Sequence, residues 1–512
     1  MAISSTPGCG AAGGALAAVA ETHSGVVFLV GDRAYKLKKP VSLGFLDFRT
    51  REARELACHR EVELNRRLAP DVYLGVADLV DAAGPAFDHL VVMRRLPEDR
   101  RLAGLVASGA EVGEHLRRLA TLLARFHAGA SRAPEIDAAA RGDALTALWQ
   151  VNAVGMEHLD GALWPAELEA RVLALARRYL AGRGTLLEER ISAGRVRDGH
   201  GDLLADDIFC LDDGPRVLDC VEFDDRLRYV DVLSDVAFLA MDLERLGRAD
   251  LAASFLDEYR RQSGDTWPVS LEHHYVAYRA QVRAKVAGLR MDAGIQPERS
   301  ARAARELLGL SAAHLEAGRV RLVVVGGLPG SGKSSLASAV GEALGAAIVR
   351  SDEVRKALAG LEPTTPAEAP FGEGLYRPEA TAATYAELLE RGRTWLSRGR
   401  SVVLDASFHD PAWRAGARQL AAETVSDLDE LHCSAPQALL ERRVARRARR
   451  DGEISDANVA VVRKLAASEP PWPGAAEIDS RRSPGATRRM AFERLGIVRT
   501  TAPPVPTPAS GR

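Results

Sequence analysis

The sequence predicts two successive folded domains. The first is an α+β domain that opens strand, strand, helix and continues mostly as helices, and the second is an α/β domain on a parallel sheet. Three observations carry this prediction. From Gly25, the run GVVFLVGDRAYKLKK reads as two short strands joined by a Gly-Asp turn, and residues 50–68 then read as a charged amphipathic helix. Residues 111–130 place Val112, Leu116, Leu119, Leu123 and Phe126 at helical spacing, and much of 165–190 and 271–315 is likewise helical. Near residue 318 the helical HLEAGR gives way to VRLVVVGGLPGSGKSSLASAVGEALG, after which IVRSDEVRKALAG, SVVLDASF and LDELHCSA each set a short apolar run beside a helix.

Composition bounds the rest. The chain has 512 residues, 46% hydrophobic and 27% charged, which is ordinary globular usage. Lys plus Arg is 68 against Asp plus Glu 70, so a net charge of -2 gives no whole-protein attraction to nucleic acid or an anionic membrane. The apolar runs, such as VVFLV, fall far short of the roughly 18 residues that span a bilayer. The five cysteines (Cys9, Cys58, Cys210, Cys220 and Cys433) form no CxxC pair and are odd in number, which argues against a disulfide framework and fits a reducing cytoplasm. The start, MAISSTPGCGAAGGALAAVAE, lacks a basic n-region and a Leu-rich h-region, so residues 1–20 read as a flexible leader. The expected organisation is that leader, a first domain over 21–317, a second over 318–480 and a tail over 481–512 whose Pro-rich end TAPPVPTPASGR reads as disordered. Basic charge is carried by Arg, with Lys only at 36, 38, 39, 285, 333, 356 and 464; a Lys kept in that background invites a reason, such as a phosphate that needs a compact charge.

Gly327-Leu328-Pro329-Gly330-Ser331-Gly332-Lys333-Ser334 satisfies GxxxxGK[ST] between the strand RLVVV and an amphipathic helix. The glycines let backbone amides wrap a phosphate, and the helix N-terminus, with Ser335 in its first turn, adds a positive dipole end. Lys333 reaches the β/γ-phosphates and the Ser334 hydroxyl ligates Mg²⁺. Asp352 follows the strand AAIV, where a carboxylate can take a proton from an acceptor hydroxyl, with Arg355 one turn on to hold the acceptor or the transferring charge. The bland alternative is an N-cap Asp with a surface Arg. Asp405 ends the strand SVVL in the place of a metal-binding carboxylate. Along Glu441-Arg-Arg-Val-Ala-Arg-Arg-Ala-Arg-Arg, Arg442, Arg446 and Arg450 share one helical face and Arg443 and Arg447 another. A solvated face, a phosphate-clamping lid and an RNA-binding patch all remain open there. Together VVVGGLPGSGKSSLA, SDEVR, VVLDASF, the Arg cluster and Ser455-Asp456-Ala457 resemble the small P-loop kinases related to gluconate kinase, zeta toxins and polynucleotide kinase, over residues 319–470. The resemblance implies an α/β P-loop NTPase fold, ATP and Mg²⁺, Asp352 and Arg355 as base and acceptor contact, and lid arginines at Arg443, Arg446 and Arg447.

His200-Gly201-Asp202-Leu-Leu-Ala-Asp206-Asp207-Ile208 has the spacing of a kinase catalytic loop, in which Asp202 engages an acceptor hydroxyl and Asp207 binds Mg²⁺. It keeps company with Lys36 on a strand, Glu61 on the next helix and an acidic strand-turn over Asp219 to Asp225. The segments AYKLKK, CHREVELNRRLAPDVYLGV, LATLLARFHAG, HGDLLADDI and VEFDDRLRYVDVLSDVAFL resemble the aminoglycoside phosphotransferase family of protein-kinase-like enzymes over about residues 21–310. That resemblance implies a bilobal protein-kinase-like α+β fold. It implies a nucleotide-binding Lys36 held by Glu61, a catalytic Asp202, and metal carboxylates at Asp207, where the family has Asn, and Glu222, where it has Asp. Counting back from Asp235 favours Glu222, with Asp219 and Asp224 open, and Lys38 is an alternative to Lys36 because both point to one strand face. His127 and His200 are expected to organise the fold.

The whole-chain expectation is a cytoplasmic bifunctional ATP-dependent phosphotransferase acting on small-molecule hydroxyls. Two other readings stand beside it: a catalytically inactive kinase-like sensor that regulates a P-loop kinase, and an RNA-end or nucleotide-sugar kinase.

Overall fold

The computed structural model describes residues 17–21, 25–42, 47–80, 84, 86–362, 364–365, 373–447 and 458–497. Two compact units divide the chain: the described residues up to Leu180 together with Leu186–Gly318, and Ala181–Thr185 together with the described residues from Arg319 onward.

The first unit begins with β1 (Ala17–Glu21), β2 (Gly25–Val30) and β3 (Arg33–Lys38), then helix Arg51–Asn65, β4 (Tyr73–Leu79) and β5 (Asp88–Arg94). All pairings are antiparallel, in the order β1-β2-β3-β5-β4. The helix starts where the Thr50 side chain accepts the Ala53 amide, a cap for one of the orphan donors of a first turn. Cys58, Glu61, Val62 and Asn65 are buried at helical spacing, and Cys58 and Val62 pack against Val72, Tyr73 and Val91 of the sheet. Glu61, on this buried face, is thereby delivered to Lys36 and Lys38 of β3.

The remainder of this unit is mainly helical, including Gly113–Gly129, Ala166–Ala181, Val232–Arg245, Val269–Asp292 and Pro297–Ala317. Set among these helices are β6 (Val196–Asp198), the hairpin of β7 (Ile208–Leu211) and β8 (Gly214–Val217), and β9 (Tyr229–Asp231), which pairs with β6. The Asp-Asp-Gly-Pro stretch turns the hairpin as its composition predicts. The expected leader is corrected at its end, since residues 17–20 belong to β1 and pair with β2; the rest of it lies outside the described residues.

The second unit carries β10 (Arg321–Gly326), β11 (Ala347–Arg350), β12 (Val402–Asp405), β13 (Asp427–Ser434) and β14 (Ala476–Asp479), all parallel in the order β11-β12-β10-β13-β14. Leu322–Val325 are fully buried in succession, the continuous apolar run of a central parallel strand covered on both faces. The expected tail is also corrected. Helix Pro484–Arg494 closes this unit, with Ala491 and Leu495 packed into the same core as Val323, Leu336 and Val403. Residues 498–512 lie outside the described set, as do Arg450 and Ser455-Asp456-Ala457.

In helix Ala166–Ala181, Glu169 is buried, and burial with the Asp160 carboxylate nearby pushes its pKa up to about 8. A raised folded-state pKa makes the associated stability complete below the unfolded glutamate value and progressively lost as pH rises toward 8. Glu169→Gln is expected to raise stability at pH 8 by about 2–4 kcal/mol and to flatten its fall between pH 5 and 8, as urea unfolding across that range would register.

Candidate functional site

In the first unit, Lys36 Nζ lies 2.9 Å from Glu61 Oε1 and 2.6 Å from Asp219 Oδ1. Two residues along β3, Lys38 Nζ lies 2.8 Å from Glu61 Oε2 and 2.5 Å from Glu222 Oε1. Side chains at i and i+2 share a strand face about 6.6 Å apart, so one buried glutamate serves both lysines and two successive carboxylates complete the pattern. Burial alone would discharge Lys36, but Asp219, Glu61 and Glu222 hold its pKa well above the ordinary value. Burial would raise Glu61, and the two ammonium groups keep it below the ordinary value.

Lys36 is thus set against Asp219 and Lys38 against Glu222, so each of the two lysine alternatives has its own carboxylate from the Asp219–Asp225 segment. Asp224 is turned away from both lysines, capping a short 3-10 turn and pairing with Arg226. The backbone of Asp219 adopts a left-handed φ of 65°, a conformation that surrounding structure must impose on a non-glycine residue. Its neighbours do so: Cys220 N donates to Asn65 Oδ1 at 2.9 Å, and Asp219 N donates to the Tyr73 hydroxyl at 3.3 Å.

Asp202 and Asp207 stand within electrostatic reach of Asp219. Burial, with Arg283 opposing it and Asp219 adding to it, raises Asp202 above the usual aspartate range. Burial and the charges of Asp219 and Asp202 push Asp207 well above it. The loop itself hangs on Asp235, which accepts the amides of His200 at 2.7 Å and Gly201 at 2.9 Å, while His127 Nε2 lies 3.0 Å from its Oδ2. Burial would raise Asp235, yet His127, His200 and these amides hold it far below the carboxylate range. A Cβ at Gly199 would stand 2.6 Å from the same carboxylate, so that close approach requires glycine. His127 and His200 are thus fold-organising groups, as their sequence setting suggests.

In the second unit, the carboxyl ends of three neighbouring strands carry the expected residues. β10 runs into the loop Gly327–Gly332, β11 into Ser351 and Asp352, and β12 ends on Asp405, the edge where open parallel sheets bind ligands. Gly327, Gly330 and Gly332 have φ of 137°, 85° and 87°, and a Cβ at Gly327 would sit 2.4 Å from the Cys433 carbonyl. Lys333 opens helix Lys333–Leu344 with Ser334 and Ser335 exposed behind it, and Leu328 and Pro329 close the buried side of the loop. Ser331 is buried with its hydroxyl unpaired. Asp405 is buried; burial raises its pKa, while Lys333 and a hydrogen bond from Ser334 oppose the rise, and its Oδ1 accepts no hydrogen bond among the described residues.

The arginines differ from expectation. Arg355 is buried, donates to the Leu375 carbonyl at 2.8 Å and Thr381 Oγ1 at 3.2 Å, and lies over the Tyr376 ring. It braces the 375–381 segment through Nη1, while its buried Nε has no hydrogen-bond partner among the described residues. Arg443 binds the Gly330 carbonyl at 3.2 Å and the Ser480 carbonyl at 2.7 Å, so it props the phosphate loop from behind. Leu440 and Val444, on the same helix, cover Leu328. Arg446 is exposed, and Arg447 ends the helix.

A family model described as phosphotransferase enzyme family matches residues 18–273, half of the chain. The chain belongs to the phosphotransferase enzyme family. A second model, described as AAA domain, matches residues 322–471. Uncharacterized proteins of Mycobacterium tuberculosis and Mycobacterium bovis are 44% identical to the chain over 462 residues, covering 90% of it and 92% of each relative. Among solved structures, a choline/ethanolamine kinase family protein from Mesorhizobium loti aligns at 13% identity over 59% of this chain and 92% of its own, with a TM-score of 0.37. A gluconokinase from Sinorhizobium meliloti aligns at 21% identity over 35% and 91%, with a TM-score of 0.26. The APS kinase CysC of Mycobacterium tuberculosis aligns at 23% identity over 35% and 98%, with a TM-score of 0.27. The family membership and the two kinase-type domains make this chain a phosphotransferase with a protein-kinase-like α+β domain followed by an α/β P-loop domain.

Sequence reasoning missed the residues that aim the site. Asn65 ties Glu61 to Cys220, and Arg67 donates to the Asp198 and Gly199 carbonyls ahead of the His-Gly-Asp loop. Neither has a local signal beyond its helical position. Because Asp235 is buried and carries both loop amides, Asp235→Ala is expected to destabilise the first unit by about 3 kcal/mol or more, seen as a lower urea midpoint.

Proposed function

We propose that the chain is a bifunctional ATP-dependent phosphotransferase in which each unit transfers the γ-phosphate of ATP to a hydroxyl of a small molecule. The observation that carries this reading is the pairing of Lys36 with Glu61 and Asp219 beside Asp202, together with the placing of Lys333, Ser334 and Asp405 at adjoining strand ends of the second unit.

In the first unit Lys36, oriented by Glu61, binds the nucleotide phosphates, and Asp202 accepts the proton of the acceptor hydroxyl. Its raised pKa brings that carboxylate closer to the basicity the transfer requires. In the second unit the amides of Gly327–Gly332 and Lys333 bind the phosphates, and Asp352, within electrostatic reach of Asp405, takes the acceptor proton. Arg355 orders the segment beside Asp352, and Arg446, exposed on the Gln437–Arg447 helix, is a lid candidate.

Among the described residues no three His, Cys, Asp or Glu side chains form a ready metal cluster. Mg²⁺ in phosphoryl-transfer sites is held by one or two carboxylates with substrate phosphates and water, and the donors present suit that manner of binding. Asp207 and Asp219 in the first unit, and Ser334 with the unpaired oxygen of Asp405 in the second, would hold it. When bound, Mg²⁺ supplies positive charge for the transferring phosphoryl oxygens. Glu222, bonded to Lys38 as Asp219 is to Lys36, is the alternative carboxylate for this metal. No described helix is long and apolar enough to cross a membrane.

Turnover of radiolabelled ATP with a panel of hydroxyl acceptors tests the reading. Asp202→Asn and Lys36→Ala should each abolish one set of products, by at least about 100-fold, and Lys333→Ala should abolish a different set. If neither Asp202→Asn nor Lys36→Ala changes any product, the first unit is a sensor and the bifunctional reading fails.

A further inference from the structure

We infer that the acceptor of the first unit is an anion: a hydroxyl compound that also carries a phosphate or carboxylate, held by arginines of helix Val269–Asp292. This rests on reading Asp202 as the group that faces the acceptor hydroxyl. Positions 279, 283 and 290 are four and eleven residues along one helix, within about 40° of a single face. Arg279, at the buried end of this stripe, donates to the Ser234 carbonyl at 3.0 Å and to the Gly201 carbonyl at 3.4 Å, so its guanidinium stands beside the Asp202 loop. It is 4% exposed, and its Nη2 is buried without an acceptor.

One turn on, Arg283 Nη1 lies 3.7 Å from Asp202 Oδ2 while its side chain remains 26% exposed. Two further turns along, burial and the charges of Arg283 and Arg299 hold Arg290 below the ordinary arginine value. Lys285, one of only seven lysines in the chain, is half-buried, and burial alone lowers its ammonium. Most arginines of this unit sit on carboxylates, as Arg190 does on Asp231 and Asp265. The 279–290 stripe meets a single carboxylate, Asp202. Like charges gathered with that little compensation are unfavourable in the free protein and are relieved by a bound anion. The planar guanidinium matches phosphate or carboxylate oxygens two at a time. The same stripe repels a polycation, so an aminoglycoside is the wrong charge for this site.

The test is calorimetry on the full chain carrying Lys333→Ala, which silences the P-loop. The probes are inorganic phosphate, kanamycin and a non-hydrolysable ATP analogue, titrated separately. Inorganic phosphate is expected to bind, and Arg283→Gln and Arg290→Gln are each expected to weaken it at least fivefold while leaving the analogue's affinity within twofold. Kanamycin is expected not to bind. Both arginines are partly exposed, and unchanged thermal unfolding confirms that each variant folds; either variant alone carries the comparison if the other does not fold. Absence of phosphate binding, a loss below fivefold in every folded variant, or binding of kanamycin overturns the proposal. If the analogue fails to bind while arginine-dependent phosphate binding persists, the nucleotide reading of this unit fails and the anion site stands.

Discussion

Glu61 is buried beneath a strand and shared by two lysines, and the first unit is arranged around keeping that glutamate charged. Removing one partner from a buried ionic set leaves an uncompensated charge, at a cost of about 3–5 kcal/mol. The helix that carries Glu61, the strand that carries Lys36 and Lys38, and the segment that carries Asp219 and Glu222 are therefore locked in one register. The left-handed backbone at Asp219 is held by Asn65 and Tyr73, residues of the same packed face. Asp235 repeats this logic for the His-Gly-Asp loop, where one buried carboxylate collects two amides and a histidine. Local electrostatics thus turn three distant stretches of chain into one site.

The second unit reaches a comparable arrangement by topology. A central strand flanked by β12 and β13 brings the glycine loop and Asp405 to the same end of the sheet, and β11 adds Asp352 from the other side of β12. Positive φ at three glycines and the close approach of the Cys433 carbonyl explain why the loop tolerates no side chain at Gly327. Burial raises the pKa of Asp405, and Lys333 and Ser334 oppose that rise.

Elements were legible in the sequence where the signal is local. The glycine loop, its strand and its helix are contiguous; Lys36, Glu61 and the His-Gly-Asp loop are marked by motif spacing and family resemblance, with the strand and helix periods placing them on their elements. The losses lie where long-range packing decides. Four of the five residues of β1 look like a leader until β2 pairs with them, and helix Pro484–Arg494 looks like a tail until Ala491 and Leu495 enter the core. Asp219 and Glu222 are three residues apart, and only the partner lysines on β3 distinguish them. Arg443 and Arg355 have the spacing of ligand-binding groups, but nearby carbonyls occupy their guanidinium groups. The arginine stripe on helix Val269–Asp292 is visible as spacing and acquires meaning from its neighbour Asp202.

The central claim is that both units bind nucleotide, the first through a lysine held by Glu61 and the second through Lys333. The most direct measurement is the stoichiometry of a non-hydrolysable ATP analogue with Mg²⁺ on the unsubstituted chain, Lys333→Ala and Glu61→Gln. Two sites on the unsubstituted chain, falling to one in each variant, is the predicted result. One site that vanishes in Lys333→Ala and is untouched by Glu61→Gln would contradict the account.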